Sequence, residues 1–146
     1  MSVIQRLLTS TGQTNRNPVT IKPASRAVLV VTADVTFYSG ALHAACAHQL
    51  RADWVRTLGR AIEQAANASI ILYDADLPDV TWDLAFVLLN PPPEDRRLVL
   101  AARTVDEELW RSVLQHRGYD AVPRSAGSQE LSRILRFACL SLRVKD

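Results

Sequence analysis

The sequence predicts a three-layer α/β/α fold, with a five-stranded parallel sheet between two layers of helices. Three observations carry that expectation. Continuous aliphatic runs recur at Ala27–Thr32, Ser69–Asp74 and Leu98–Ala101, the pattern of strands buried on both faces. Segments with apolar residues at helical spacing lie between them, so strands and helices alternate along the chain. Of the 146 residues, 48% are hydrophobic and 22% charged, enough for a real core and incompatible with disorder throughout.

Each element follows from a local pattern. Residues 1–25 stand apart from the rest. After an apolar stripe of Val3, Ile4, Leu7 and Leu8, the polar stretch Thr9–Pro18 reads as a flexible N-terminal arm, followed by a domain over residues 26–146. Ala27–Thr32 is the first strand, and Phe37–Leu50 places Leu42, Ala45, Cys46 and Leu50 on one helical face. Asp53–Leu58 reads as a short second strand and Ala61–Ala68 as a short, alanine-rich helix. Ser69–Asp74 is the third strand, closed by an acid and a Leu-Pro turn. Thr81–Leu89 is apolar enough for a well-buried helix, which Pro91-Pro92-Pro93 stops. After the strand Leu98–Ala101, Thr104 and Glu107 have capping-box spacing. They open a helix with Val105, Leu109 and Val113 on one face, ending at Gly118. Tyr119–Val122 is the last strand. Ser128 caps a final helix carrying Leu131, Ile134, Leu135, Ala138 and Leu142 in phase.

Five such units, joined by right-handed crossovers, match the flavodoxin-like arrangement with strand order 2-1-3-4-5. Function in these sheets gathers at the carboxyl ends of the strands, beside the switch point between the first and third. Here those ends are Thr32–Asp34 and Asp74–Asp76.

Composition removes several function classes. Seventeen Lys and Arg against fifteen Asp and Glu leave a formal +2, too balanced for nucleic-acid binding through bulk charge. Eighteen apolar residues never run together, so no membrane span is expected, and the amino-terminal stretch lacks the pattern of a signal peptide. Cys46 and Cys139, far apart and in apolar surroundings, read as small buried hydrophobes in a reducing, cytoplasmic compartment. His43 and His48 are five residues apart, which does not place two ligands on one helical face. The cluster Glu94-Asp95-Arg96-Arg97 reads as a solvated loop.

Ile71-Leu72-Tyr73-Asp74-Ala75-Asp76-Leu77-Pro78-Asp79 resembles the third strand and following turn of bacterial response-regulator receiver domains, with Asp74 at the phosphoacceptor position. The similarity continues through Leu98–Ala102, Asp106–Leu109 and Gly118–Arg124, and covers residues 26–142. The resemblance implies a site at which an aspartate takes a phosphoryl group with Mg²⁺ bridging the two. Such a site uses two acids after the first strand, a Ser or Thr after the fourth, and a Lys after the fifth. In this sequence the acid pair falls on Thr32 and Ala33, with Asp34 one residue beyond. The hydroxyl position falls on Ala102 or Ala101, the lysine position on Arg124, and the switch aromatic on Ala121. Asp34, Asp74 and Asp76 are the candidate magnesium ligands that remain, and Mg²⁺ is the only cofactor the resemblance implies.

The expectation is therefore a degenerate, non-enzymatic receiver in which Arg124 pairs directly with Asp74 and fixes one conformation. By resemblance, its interaction face is the fourth helix, fifth strand and fifth helix, with Trp110, Arg111, Arg117, Tyr119, Arg133 and Arg136. That face would take a signalling partner or a second copy of the chain, with no direct contact to nucleic acid. One alternative is a phosphorylatable receiver served by a histidine kinase. Another is a small-ligand sensor using the cleft beside Asp74.

Overall fold

The computed structural model describes residues 26–145. The arm expected over residues 1–25 lies outside the described residues. Five parallel strands, β1 (Ala27–Val31), β2 (Arg51–Val55), β3 (Ile70–Asp74), β4 (Arg97–Ala102) and β5 (Asp120–Pro123), form one sheet in the order β2-β1-β3-β4-β5. The helices between and after them are α1 (Val35–Ala47), α2 (Leu58–Gln64), α3 (Trp82–Leu89), α4 (Glu107–Gln115) and α5 (Ser128–Lys145). The expected fold class and strand order are those observed.

Alternation along each strand explains why its sequence is apolar without interruption. Successive side chains leave opposite faces of a sheet, and here both faces are covered. Val28, Val30, Ile70, Leu72 and Val99 pack with Phe37 and Ala41 of α1 and Leu131 and Leu135 of α5. Leu29, Val31, Ile71, Tyr73, Leu98 and Leu100 pack on the other face with Ala61 of α2, Phe86 of α3 and Val113 of α4. Every residue of β1, β3 and β4 is buried.

The structure differs from the sequence expectations at several boundaries, each for an identifiable reason. β2 lies about two residues earlier than expected, because Ala27–Val31 pairs in register with Arg51–Val55 and Thr57 already caps α2 by accepting from Arg60 N. α1 begins at Val35, since Asp34 accepts hydrogen bonds from the Thr36 and Phe37 amides. Its buried face is Phe37, Ala41, Ala44 and Ala45, which leaves Leu42 and Cys46 exposed. Asp106, rather than Thr104, caps α4 through the Leu109 amide. Ser128 is the first residue of α5. The expected buried helix at 81–89 hides only Ala85, Phe86 and Leu89.

In the charged segment after α3 the acids Glu94 and Asp95 are exposed as expected, but Arg96 and Arg97 are not. The Arg96 guanidinium donates to the carbonyls of Ala65 and Leu89, and that of Arg97 to Ser141 and Asp95. Arg96 thereby satisfies carbonyls at the ends of α2 and α3, and Arg97 ties the amino end of β4 to α5.

Candidate functional site

The carboxyl ends of β1, β3, β4 and β5 converge on one carboxylate. Asp74, the last residue of β3, sits opposite Ala101 of β4 and is only 3% exposed. Its Oδ2 accepts a 2.7 Å hydrogen bond from the Thr32 hydroxyl, and its Oδ1 accepts the Asp76 amide at 2.9 Å. The second of these is an Asx-type turn that starts the Leu-Pro-Asp segment. Thr32 is itself placed by the Trp54 indole, which donates to its carbonyl at 2.9 Å. Asp79 points elsewhere, where its carboxylate accepts the Leu58 amide and ties the β3–α3 loop to the start of α2.

Arg124 enters from the β5–α5 loop. Its amide donates to the Ala102 carbonyl at 2.7 Å, extending the β4–β5 ladder by one residue and fixing where the side chain starts. The guanidinium then meets all three nearby acids: Asp74 Oδ1 at 3.4 Å, Asp34 Oδ2 at 3.8 Å, and Asp76 Oδ2 in a closer hydrogen bond. Arg103, in the β4–α4 loop, reaches the same Asp76 oxygen at 3.1 Å. One cation from β5–α5 and one from β4–α4 thus hold the loops after β1 and β3. Burial works against the charge on Arg124, but Asp74 and Asp76 outweigh it and hold its pKa above the ordinary arginine value.

These residues can be tested against a magnesium site. Mg²⁺ needs several oxygen ligands in near-octahedral array. The two positions after β1 offer a hydroxyl already donated to Asp74 and an alanine methyl. Among the described residues, no group of three or more His, Cys, Asp or Glu side chains is placed to hold a metal ion. Asp34, Asp74 and Asp76 are gathered around a guanidinium instead, and Asp34 also serves as the cap of α1. The donor set does not fit the ion.

Tyr73, one residue before Asp74, belongs to the opposite core, edge-on to Phe86. It is fully buried, and among the described residues its hydroxyl has no hydrogen-bond partner. Burial above all, then the negative charges of Asp79 and Asp74, push its phenol from 10.0 up to about 12. A pKa raised in the folded state means that only the unfolded chain ionises between these values, so stability is lost as pH rises through that window. Tyr73→Phe is expected to be neutral or slightly stabilising at pH 7. It should also remove roughly 2 to 3 kcal/mol of alkaline destabilisation near pH 12. Urea unfolding of both proteins across pH 9 to ~12 reads the difference, and parallel curves would show that Tyr73 is not the titrating group.

The interaction-face residues separate into two groups. Trp110, Tyr119 and Arg133, with Asp120, Ile134 and Phe137, line a groove of about 440 Å³. Trp110 is exposed, its indole anchored to Asp120 Oδ1 at 3.2 Å. Arg111 pairs along α4 with Glu107, and Arg136 is exposed on α5. Arg117 is spent elsewhere: its guanidinium donates to the carbonyls of Asn90 and Glu94. Sequence reasoning passed over Thr32 as a hydrogen-bond donor, and it missed Trp54 and Arg103 altogether. Only the position of Thr32, adjoining the carboxyl end of β3, could have signalled its part.

A parallel five-stranded sheet in this order, with its acids at the switch point, defines the doubly wound α/β class. Within that class the fold is that of response-regulator receiver domains. A signal receiver domain from Vibrio parahaemolyticus superposes with a TM-score of 0.75 at 15% identity, covering 84% of this chain and 95% of that one. A CheY-like receiver domain protein from Methanospirillum hungatei JF-1 does so with a TM-score of 0.72 at 11% identity, over 84% and 99% of the two chains. A response regulator from Thermotoga maritima gives 0.70 at 11% identity, over 78% and 97%. No family model matches the sequence, and no curated protein matches it. The likeness therefore lies in the backbone.

Proposed function

We propose that this chain is a receiver-like signalling module that acts through protein–protein contact, with its phosphoacceptor position closed by Arg124. The observation that carries the reading is the guanidinium lodged among Asp34, Asp74 and Asp76. A receiver switches when a phosphoryl group and a metal ion rearrange the loops around its aspartate. Here a covalently attached cation already occupies the electrostatic role of that ion. Removing one positioned electrostatic group from an active site costs about 10²–10³ in rate, and this site lacks several at once. The module then presents one fixed surface, and the groove at Trp110, Tyr119 and Phe137 is where a signalling partner or a second copy docks. Its apolar floor and its flanking Arg133 are the residue types that anchor interfaces. The chemistry proposed is recognition rather than catalysis, in the cytoplasm.

Incubation of the purified protein with a small phosphodonor and Mg²⁺ tests this directly. Intact-mass measurement is expected to show no phosphoryl adduct. An adduct that Asp74→Asn abolishes would overturn the reading in favour of a phosphorylatable receiver fed by a histidine kinase.

A further inference from the structure

The outer face of α3 is apolar without a partner among the described residues. Leu84, Val87 and Leu88, spaced three and four apart, are 48%, 58% and 43% exposed and form one stripe. Ile62 is exposed on α2, the helix packed against α3. This stripe is separate from the groove on α4, β5 and α5, and it plays no part in the site at Asp74. Segments 1–8 and α3 share a pattern: Val3, Ile4, Leu7 and Leu8 repeat at the same helical spacing. We propose that residues 3–8 dock on the Leu84–Val87–Leu88 stripe of the same molecule.

Three arguments choose this occupant over others. The first is size. A few exposed side chains amount to a patch of a few hundred Å², whereas a stable two-body interface needs ~800 Å² from each partner. A tethered segment needs far less, because its effective concentration is in the millimolar range. The second is reach. The Ala27 carbonyl accepts the Ser69 amide, the Ser69 carbonyl accepts the Arg97 amide, and Asn90 at the end of α3 holds Arg96. The chain therefore joins β1 at the same end of the sheet where α3 finishes. Residues 9–25, seventeen in all, span up to roughly 55 Å when extended.

The third argument is charge. Residues 1–25 contain Arg6, Arg16 and Lys22 and no Asp or Glu. In the groove on α4, β5 and α5 the Asp120 carboxylate already accepts the Trp110 indole, and Arg133 lines the same groove. On α3, Asp83 precedes Val87 by one helical turn, and the Thr81 hydroxyl holds its carboxyl below the usual range, so it stays ionised. An apolar, basic segment finds both complements on α3.

Site-specific photo-cross-linking in the full chain tests the proposal, with a benzophenone side chain in place of Leu7. The expected product is an intramolecular cross-link to the peptide holding Trp82–Leu89. Val87→Glu, a change at an exposed position, should lower its yield roughly tenfold while the circular dichroism and melting temperature stay those of the parent. Cross-links to α4 or α5, covalent dimers, no cross-link, or a yield unchanged by Val87→Glu would each overturn it.

Discussion

Replacing Arg124 with methionine is expected to destabilise the fold by about 2–3 kcal/mol, the largest loss at the carboxyl end of the sheet. Taking one partner from a buried ion pair costs about 3–5 kcal/mol, because a charge is left unmatched in a poor solvent. Two features reduce that figure here. The Arg124 side chain is 25% exposed, so water already screens part of the pair. Asp74 also keeps its bonds from the Thr32 hydroxyl and the Asp76 amide. What remains is a 3% exposed carboxylate facing two other acids with no cation from β5–α5 between them. Urea unfolding reads the loss. Arg124→Lys should fall between the two, since an ammonium carries the charge but cannot fork between separate carboxylates. A methionine variant as stable as the parent would show that the pair contributes nothing net, and the closed site would lose its energetic basis.

The second large effect is expected at Gly118, between α4 and β5. A Cβ built there collides with Val113 Cγ1 and lies 2.8 Å from the Val113 carbonyl oxygen and 2.9 Å from Phe86 Cε2. Val113 and Phe86 are buried in the core under α3 and α4 and have no room to withdraw. Gly118→Ala should therefore cost about 2–3 kcal/mol, at the upper end of overpacking by a single methyl. The same displacement would carry Tyr119, whose amide bonds the Leu98 carbonyl at 2.7 Å, away from the groove. Thermal unfolding and Tyr119 side-chain chemical shifts measure the two consequences. An unshifted melting temperature would mean that the α4–β5 turn yields more easily than its packing implies.

Gly118 also shows how a correct boundary can rest on an incomplete reason. A glycine after an apolar helix predicts a left-handed residue that ends it. The helix does end there, with the Gly118 amide on the Val113 carbonyl, but the left-handed residue is Arg117, at φ 67°. Arg117 holds that conformation while its guanidinium donates to Asn90 and Glu94. Gly118 is required for close approach, a demand set first by Val113 one turn back and then by Phe86 from a distant stretch of chain. The α3 helix teaches the same point. Its composition alone predicts burial, yet only one face meets the sheet, and neighbours in space decide which apolar residues stay exposed.

The class of fold and the place of the site were legible in the chain's own pattern. Strand runs buried on both faces, alternating with helices, leave a parallel sheet with helices on each side, and Asp74 at a strand end marks the switch point. So was what is missing there, since Thr32 and Ala33 carry no charge whatever their neighbours do. The resemblance already set Arg124 against Asp74, but the rest of the cluster, with Asp76 and Arg103 drawn in beside them, is visible only in the folded chain. Arg124 lies fifty residues from Asp74, and Arg103 and Asp34 arrive on two further loops. Their meeting depends on strand order and loop path, not on any local pattern. Local rules record how a chain prefers to bend and which side it hides, whereas a charge cluster forms where distant segments are brought together by the core beneath them.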